Sequence, residues 1–278
     1  MASIPRQSPI SDDYAMRFDN PAAYAEWLQT IPYEMVKNCE GWQENDFSGG
    51  SFNSAVSKLI NGDTTGLAQA EKIIDQMRDA HIFTQGQPII VNSIIGYIPN
   101  VPAVLQGHPE DMLVRSHSEN QVETTPLKVF IETTVSSSLS HKELINRGVA
   151  CLALVMALGM QRPVELYACS FGDPAYNSRV YGAIVKLDSH PLDLGRAVFM
   201  LTNPAYCRRL MFVTVHQQAD YRRHSSIPFC RDRRDICGCD DNDILIQGGH
   251  GGDELMLRDP ITWVKAMLKK HGNVQVEA

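Results

Sequence analysis

The feature that most constrains this chain is the alternation that begins after Pro126. Short runs rich in β-branched and aromatic residues fall at 127–131 (LKVFI), 163–169 (PVELYAC), 180–187 (VYGAIVKL), 210–215 (LMFVTV) and 244–246 (ILI), with helix-like stretches between them. Such runs suit strands buried on both faces. Strands that alternate with helices are joined by crossovers, which makes the sheet largely parallel and covers its faces. The expectation for 126–278 is therefore an α/β domain, an open and mostly parallel sheet with flanking helices. The crossover signals are local. Ser140-His141-Lys142-Glu143 has the form of a capping box, and Leu144, Val149, Leu152, Val155 and Met156 follow before a stop at Gly159. A further helix is expected over 193–202. Another opens at Asp259-Pro260, with Trp263, Val264, Met267 and Leu268 inward.

The N-terminal half reads differently. Residues 1–20 are polar and broken by prolines, which predicts an arm. Asn20-Pro21 caps a short helix over 21–30. Phe52, Ala55, Val56, Leu59 and Ile60 repeat at helical spacing, and Asn61-Gly62-Asp63 ends that run. Leu67, Ala70, Ile73, Ile74 and Met77 predict a second helix over 67–80, making a helical hairpin. Residues 88–95 (PIIVNSII) read as a strand and 103–106 as a short helix. The expected organisation is an arm at 1–20, a helical N-terminal subdomain with one strand at 21–107, a polar connector at 108–125, and the α/β domain at 126–278.

Composition narrows the function. A net charge of −7 argues against a chain that coats nucleic acid, for which a basic domain is the usual footprint. The longest apolar run, 149–160, is too short to span a bilayer, and the first residues do not have the form of a secretory signal. Seven cysteines without a repeating frame point to free thiols in a reducing compartment. The expectation is a soluble cytoplasmic protein with no membrane partner. The sequence has no Gly-x₄-Gly-Lys-[Ser/Thr] loop, no His-Glu-x-x-His and no Gly-x-Ser-x-Gly elbow, and no nucleophile–base pair stands out. The expectation is non-enzymatic.

Ligands of open α/β sheets bind beyond the carboxyl ends of the strands. The turn Glu132-Thr133-Thr134-Val135-Ser136-Ser137-Ser138 follows the first strand of the sheet domain. Oxygens of Glu132, Thr134 and Ser136 are spaced to converge on a hard cation such as Mg²⁺, Ca²⁺ or Mn²⁺. The competing reading is a hydroxyl-rich turn that bonds its own backbone. The glycine turn 248–254 should lie at the same edge, with His250, Asp253 and Glu254 on a pocket rim. Cys230, Cys237 and Cys239, with His224 and His250, are zinc-ligand types, but their spacing is irregular and loop thiols are the default. The densest basic stretch holds Arg222, Arg223, Arg231, Arg233 and Arg234 beside Tyr221 and Phe229, a pattern that suits single-stranded nucleic acid, with Arg208 and Arg209 close in sequence. Asp232 and Asp235 dilute it, and the competing reading is a solvated loop.

The segment 126–270 resembles the von Willebrand factor A fold, which is Rossmann-like. That family carries a metal-ion-dependent adhesion site of the form Asp-x-Ser-x-Ser after its first strand, and the matching positions here are Glu132, Thr134 and Ser136. The resemblance implies a module that holds a protein partner, for intracellular relatives often beside a ring ATPase. The whole chain is also similar to an uncharacterised family carried by tailed bacteriophages. The similarity rests on Gly41-Trp42, Phe47-Ser48-Gly49-Gly50-Ser51, Asn61-Gly62-Asp63, Ala70-Glu71-Lys72, Pro99-Asn100-Val101-Pro102 and Pro191-Leu192-Asp193. It implies expression in a bacterial host cytoplasm. The functional expectation is a non-enzymatic, phage-encoded adaptor or protein-binding module. One alternative is a nucleic-acid-binding accessory protein in phage transcription or replication, with a polymerase among its partners. Another is a divalent-metal-dependent hydrolase at Glu132, for which the sequence offers no evident base.

Overall fold

The computed structural model describes residues 6–7, 14–40, 45–63, 75–76, 89–93, 98–99, 112–116, 126–159, 162–172, 180–187, 192–218, 233–248 and 254–271. The chain opens with β1 (Arg6–Gln7) and β2 (Tyr14–Phe18), then α1 (Pro21–Gln29), α2 (Tyr33–Glu40), α3 (Asn45–Ser48) and α4 (Phe52–Asn61). The local signals work as expected. Asn20 accepts from the Ala23 amide at 2.8 Å, and Ser51 accepts from Ser54 at 3.3 Å. At the end of α4, Gly62 has φ +81°, a positive value that glycine adopts without steric penalty. The helices expected at 67–80 and 103–106 lie outside the described residues, apart from a helical pair at 75–76.

A small antiparallel sheet follows, of β3 (Ile89–Ser93), β4 (Ile98–Pro99) and β5 (Met112–Ser116), in the order β3-β5-β4. The polar stretch 108–125 is therefore not simply a connector, because β5 pairs with both of its neighbours. Next come β6 (Leu127–Glu132), α5 (His141–Gly159), β7 (Val164–Gly172), β8 (Tyr181–Leu187) and α6 (Leu194–Thr202). A π-helical stretch, Tyr206–Met211, then runs directly into α7 (Phe212–Gln218). The chain closes with α8 (Arg234–Cys237), β9 (Ile244–Ile246), α9 (Glu254–Arg258) and α10 (Pro260–His271).

The main sheet has the order β1-β2-β8-β7-β6-β9. The pairs β2–β8, β6–β7 and β6–β9 are parallel, while β1–β2 and β7–β8 are antiparallel. The class is α/β, with a mixed, mostly parallel sheet and flanking helices. The expected arm at 1–20 is corrected in its second half. Residues 14–18 lie along β8 in register, and Ala15 and Phe18 are buried. A strand beside β8 satisfies ladder groups that would otherwise face solvent.

A second correction concerns 210–215, expected as a strand. These residues are helical throughout. Tyr206, Leu210 and Val213 are buried at helical spacing, and Thr214 donates to the Leu210 carbonyl at 2.8 Å. A short apolar run cannot by itself distinguish a buried strand from a buried helix. The preceding residues, Arg208 and Arg209, make the helix worth forming. Both are buried, Arg208 on the Phe47 and Leu139 carbonyls and Arg209 on those of Gly50 and Cys39.

Period-two alternation divides the sheet into two faces. Leu127, Val129 and Ile131 join the large core with α5, α6, α10, α1 and α4, so the N-terminal helices share one continuous interior with the sheet. Phe130, Cys169, Phe171 and Ile184 face the other way, under Ile236 and Cys237. Helix α5 is buried almost all round because sheet, α6, α9 and α10 surround it. At Gly148 the α5 and α6 backbones approach so closely that a Cβ would lie 2.3 Å from the Leu201 carbonyl oxygen. Among the described residues no helix is long and apolar enough to cross a membrane.

Candidate functional site

Strands β6 and β9 are parallel, so the turn after β6 and residues Gln247 and Gly248 after β9 lie at the same edge. Glu132, the last residue of β6, points to the face of the sheet that carries Phe130. Its carboxylate is enclosed, 3% exposed. Oε2 accepts from the Gly248 amide at 3.0 Å, and Oε1 lies 3.3 Å from Nε of Arg233, itself 2% exposed. The Arg233 guanidinium also stands over the Phe171 ring, 5.2 Å from its centroid. Burial pushes the Glu132 carboxyl up from its ordinary value. Arg233, the Gly248 amide and Arg147 each pull the other way, and burial prevails.

The rest of the turn is anchored on β7. The Thr134 hydroxyl accepts from the Phe171 amide at 2.8 Å, and Thr133 bonds the Cys169 carbonyl and the Ser170 hydroxyl. Ser136 accepts from the Ser138 amide at 3.2 Å and meets its hydroxyl at 2.8 Å, a turn closed on itself. The structure thus places Glu132, Thr134 and Ser136 in one buried turn, with their oxygens engaged by protein donors. This is the self-bonded arrangement that competes with a cation site in the sequence reading. Among the described residues no cluster of three or more His, Cys, Asp or Glu side chains is disposed to hold a metal ion.

Other expected residues disperse. His250 and Asp253 lie outside the described residues. Glu254 is exposed and pairs with Arg258 at 2.6 Å, a surface pair of little energetic weight. The glycine turn does reach the site at Gly248, where a Cβ would lie 2.0 Å from the Thr134 carbonyl oxygen. Of the basic stretch, Arg222, Arg223 and Arg231 lie outside the described residues. Arg233 is the buried partner of Glu132, and Arg234 bonds the Asp240 and Asp243 carbonyls of its own segment. Arg208 and Arg209, buried on carbonyls, present no anion-binding patch. Cys230 and His224 lie outside the described residues too, while Cys237 and Cys239 are free thiols.

One residue at this edge carried a sequence signal that was not read. Arg147 is the only charged residue between Leu144 and Leu158 of α5. It is buried, and it donates to the Glu132 carbonyl at 2.7 Å and the Gln247 carbonyl at 3.0 Å, so it ties the ends of β6 and β9 together.

A second site has no counterpart among the expected residues. Helices α1, α2 and α4 enclose an open groove of about 470 Å³. Leu28, Ile31, Val36, Phe52, Val56 and Ile60 supply its apolar lining, and Gln29, Asn53, Ser57 and Asn61 its polar rim. Tyr33 stands at its lip, 71% exposed. Among the described residues, none that lines it is charged.

No curated protein and no solved structure matches the chain. A family model described as a domain of unknown function (DUF7192) matches residues 10–272. That span takes in both the buried turn and the groove, and the chain belongs to the DUF7192 family.

Proposed function

We propose that this chain is a non-enzymatic protein-binding module whose binding face is the α1–α2–α4 groove. The observation that carries the reading is the groove itself: a concavity seated on buried apolar side chains and rimmed by polar groups, with an exposed tyrosine at its lip. Exposed apolar concavities rimmed by polar groups mark interaction sites, and tyrosine is a favoured anchor there. The occupant that fits is an amphipathic helix of a partner, presenting uncharged apolar side chains. The ten residues of α4 span about 15 Å, room for about three turns of a helix laid alongside. The uncharged lining suits such a ridge and gives no counter-charge to a phosphate or a carboxylate.

The frame of the proposal is an A-domain-like sheet. It is supported by the sequence β6, α5, β7, antiparallel β8 and α6, and by the position of the ETTVSSS turn at the carboxyl end of β6. The helical state of 210–215 departs from that pattern. On this reading the turn is a degenerate adhesion-like site that stabilises the edge, and binding occurs elsewhere. The expected partner class, a ring ATPase or a polymerase of an infected bacterial cell, follows from the resemblances in the sequence.

The test compares proteins retained from an infected bacterial lysate by the full chain and by a Tyr33→Asp, Asn53→Arg double variant. Both substitutions lie at exposed positions and obstruct the groove without touching its floor. The expected result is a protein retained by the wild type, depleted at least about tenfold by the variant, and binding the purified wild-type chain directly. Identical retained sets, or no retained protein, would overturn the proposal.

A further inference from the structure

Three thiols lead inward on the sheet face opposite the large core. Cys239 is partly exposed, whereas Cys237 and Cys169 are buried. The Cys237 thiol donates to Cys169 Sγ at 3.8 Å, and Cys239, two residues on from Cys237, packs against the same cluster. Around them lie Phe130, Phe171 and Ile236, apolar neighbours that keep the sulfurs from bulk water. A disulfide needs its sulfurs about 2.05 Å apart, so Cys169 and Cys237 must approach by about 1.8 Å. Side-chain rotation supplies motion of that size within a small core. The groove on α1, α2 and α4 makes no use of these residues, so the inference is independent of the binding reading.

We infer that Cys239, Cys237 and Cys169 form a thiol relay, through which a peroxide-class oxidant produces a reversible Cys169–Cys237 disulfide. The oxidant enters at Cys239, the partly exposed end. The Cys239 thiolate attacks one peroxide oxygen, the O–O bond breaks, and hydroxide leaves and takes up the thiol proton as water, giving a sulfenic acid. The Cys237 sulfur then attacks Cys239. An S–S bond forms, the S–O bond breaks, and a second water departs with the Cys237 proton. Cys169 next attacks Cys237, the Cys237–Cys239 bond breaks, and the Cys169 proton returns to Cys239. In sum, two thiols and one hydrogen peroxide give one disulfide and two waters. The two electrons come from Cys169 and Cys237, and Cys239 is regenerated. A small dithiol reverses the product by exchange.

The relay has a structural consequence. It staples β7 to α8 across 68 residues of sequence, next to the arginine that covers Glu132. The hydrogen bond to Cys169, with burial behind it, holds the Cys237 thiol above its ordinary range. The Cys237 thiol does the same for Cys239. Only thiolates attack, so the relay is slow, which suits a modification site rather than a peroxide-consuming enzyme.

The experiment treats the reduced full-length chain with hydrogen peroxide, blocks remaining thiols with iodoacetamide, and maps disulfides by mass spectrometry of an unreduced digest. The expected result is a linked pair of peptides carrying Cys169 and Cys237, lost after dithiothreitol. The melting midpoint of the oxidised protein should rise by about 5–10 °C. Cys239→Ser should slow the cross-link at least about tenfold without changing its identity, since its thiol is the entry point. Cys169→Ser should stop at a Cys237–Cys239 link. A different pairing in the wild type, irreversible Cys239 oxidation without a link, or full retention of thiols under peroxide that oxidises free cysteine would each overturn the inference. The wild-type map decides the matter even if a variant folds poorly.

Discussion

The edge beyond β6 and the groove on α1, α2 and α4 handle their chemistry in opposite ways. At the edge, charged and hydroxyl groups are turned inward and bonded to one another: Glu132 to Gly248 and Arg233, and Thr134 to Phe171. In the groove, buried apolar side chains underlie a concavity with an uncharged polar rim, and Tyr33 stands out from it. A buried cluster of paired charges and bonded hydroxyls is a fastening, because breaking one partner away leaves the other buried without it. A concavity seated on apolar side chains gains free energy when something fills it. The functional weight therefore lies on the plainer-looking sequence, and the motif-like segment holds the sheet end in place.

The largest expected effect tests whether the edge is a fastening. Arg233→Ala should destabilise the fold by about 3–5 kcal/mol, because it leaves the Glu132 carboxyl buried without its ion partner. Chemical denaturation of the full chain measures this. A Glu132→Leu, Arg233→Met double variant should recover most of the loss, since an apolar pair of similar volume avoids desolvating two charges. If Arg233→Ala costs less than about 1 kcal/mol, the edge opens readily to solvent. The contrast drawn above then fails, and a ligand role for Glu132 returns.

A smaller effect follows from the Glu132 carboxyl itself. Its folded-state pKa is raised above the ordinary 4.5, with burial the leading cause. The folded state therefore keeps this proton to higher pH than the unfolded chain does. The resulting stability is fully present below pH 4.5 and is lost as pH rises through the folded-state value, with a limiting slope of about 1.4 kcal/mol per pH unit. Glu132→Gln, which has no proton to lose, should abolish that part of the pH dependence. Parallel stability curves for the two proteins across this window would show that the carboxylate is already solvated in the folded state.

The two regions also differ in how much of them could be read before the structure. Helix starts were legible because their causes are local. Ser140 and Glu143 cap each other within one turn, with Glu143 accepting from the Ser140 amide at 2.8 Å, and Asp193 accepts from Arg196 at 3.0 Å. The place of Glu132 at a carboxyl edge followed from strand alternation. Its partners did not, because Arg233 and Gly248 meet it only through the parallel pairing of β6 with β9. Strand β2 was hidden for the same reason: its pairing with β8 is set by a strand far along the chain. Residues 210–215 were misread because β-branched composition outweighed a helical spacing that begins earlier, at Tyr206. The groove was least legible of all. Phe52, Val56 and Ile60 read as one ordinary helix face, and spacing does not reveal where helices α1, α2 and α4 will leave a concavity between them.

The smallest expected effect on stability sharpens the contrast most. Tyr33 is 71% exposed, so its side chain contributes little buried area to the isolated fold. Tyr33→Ala should change unfolding free energy by less than about 0.5 kcal/mol, as substitutions at unburied surface positions do. In complex with a partner the same ring would be covered, and truncating a covered aromatic anchor costs about 2 kcal/mol or more of binding. The two numbers separate a binding residue from a structural one. Unfolding curves of the free protein read the first, and titration of the purified partner captured by the wild-type chain reads the second. A large loss of stability would make Tyr33 a prop for α2 rather than an anchor. Unchanged stability with unchanged affinity would move the binding face away from the groove. Only a near-silent change in the free protein, joined to a clear loss in the complex, keeps the groove and its exposed tyrosine on the functional side of the comparison.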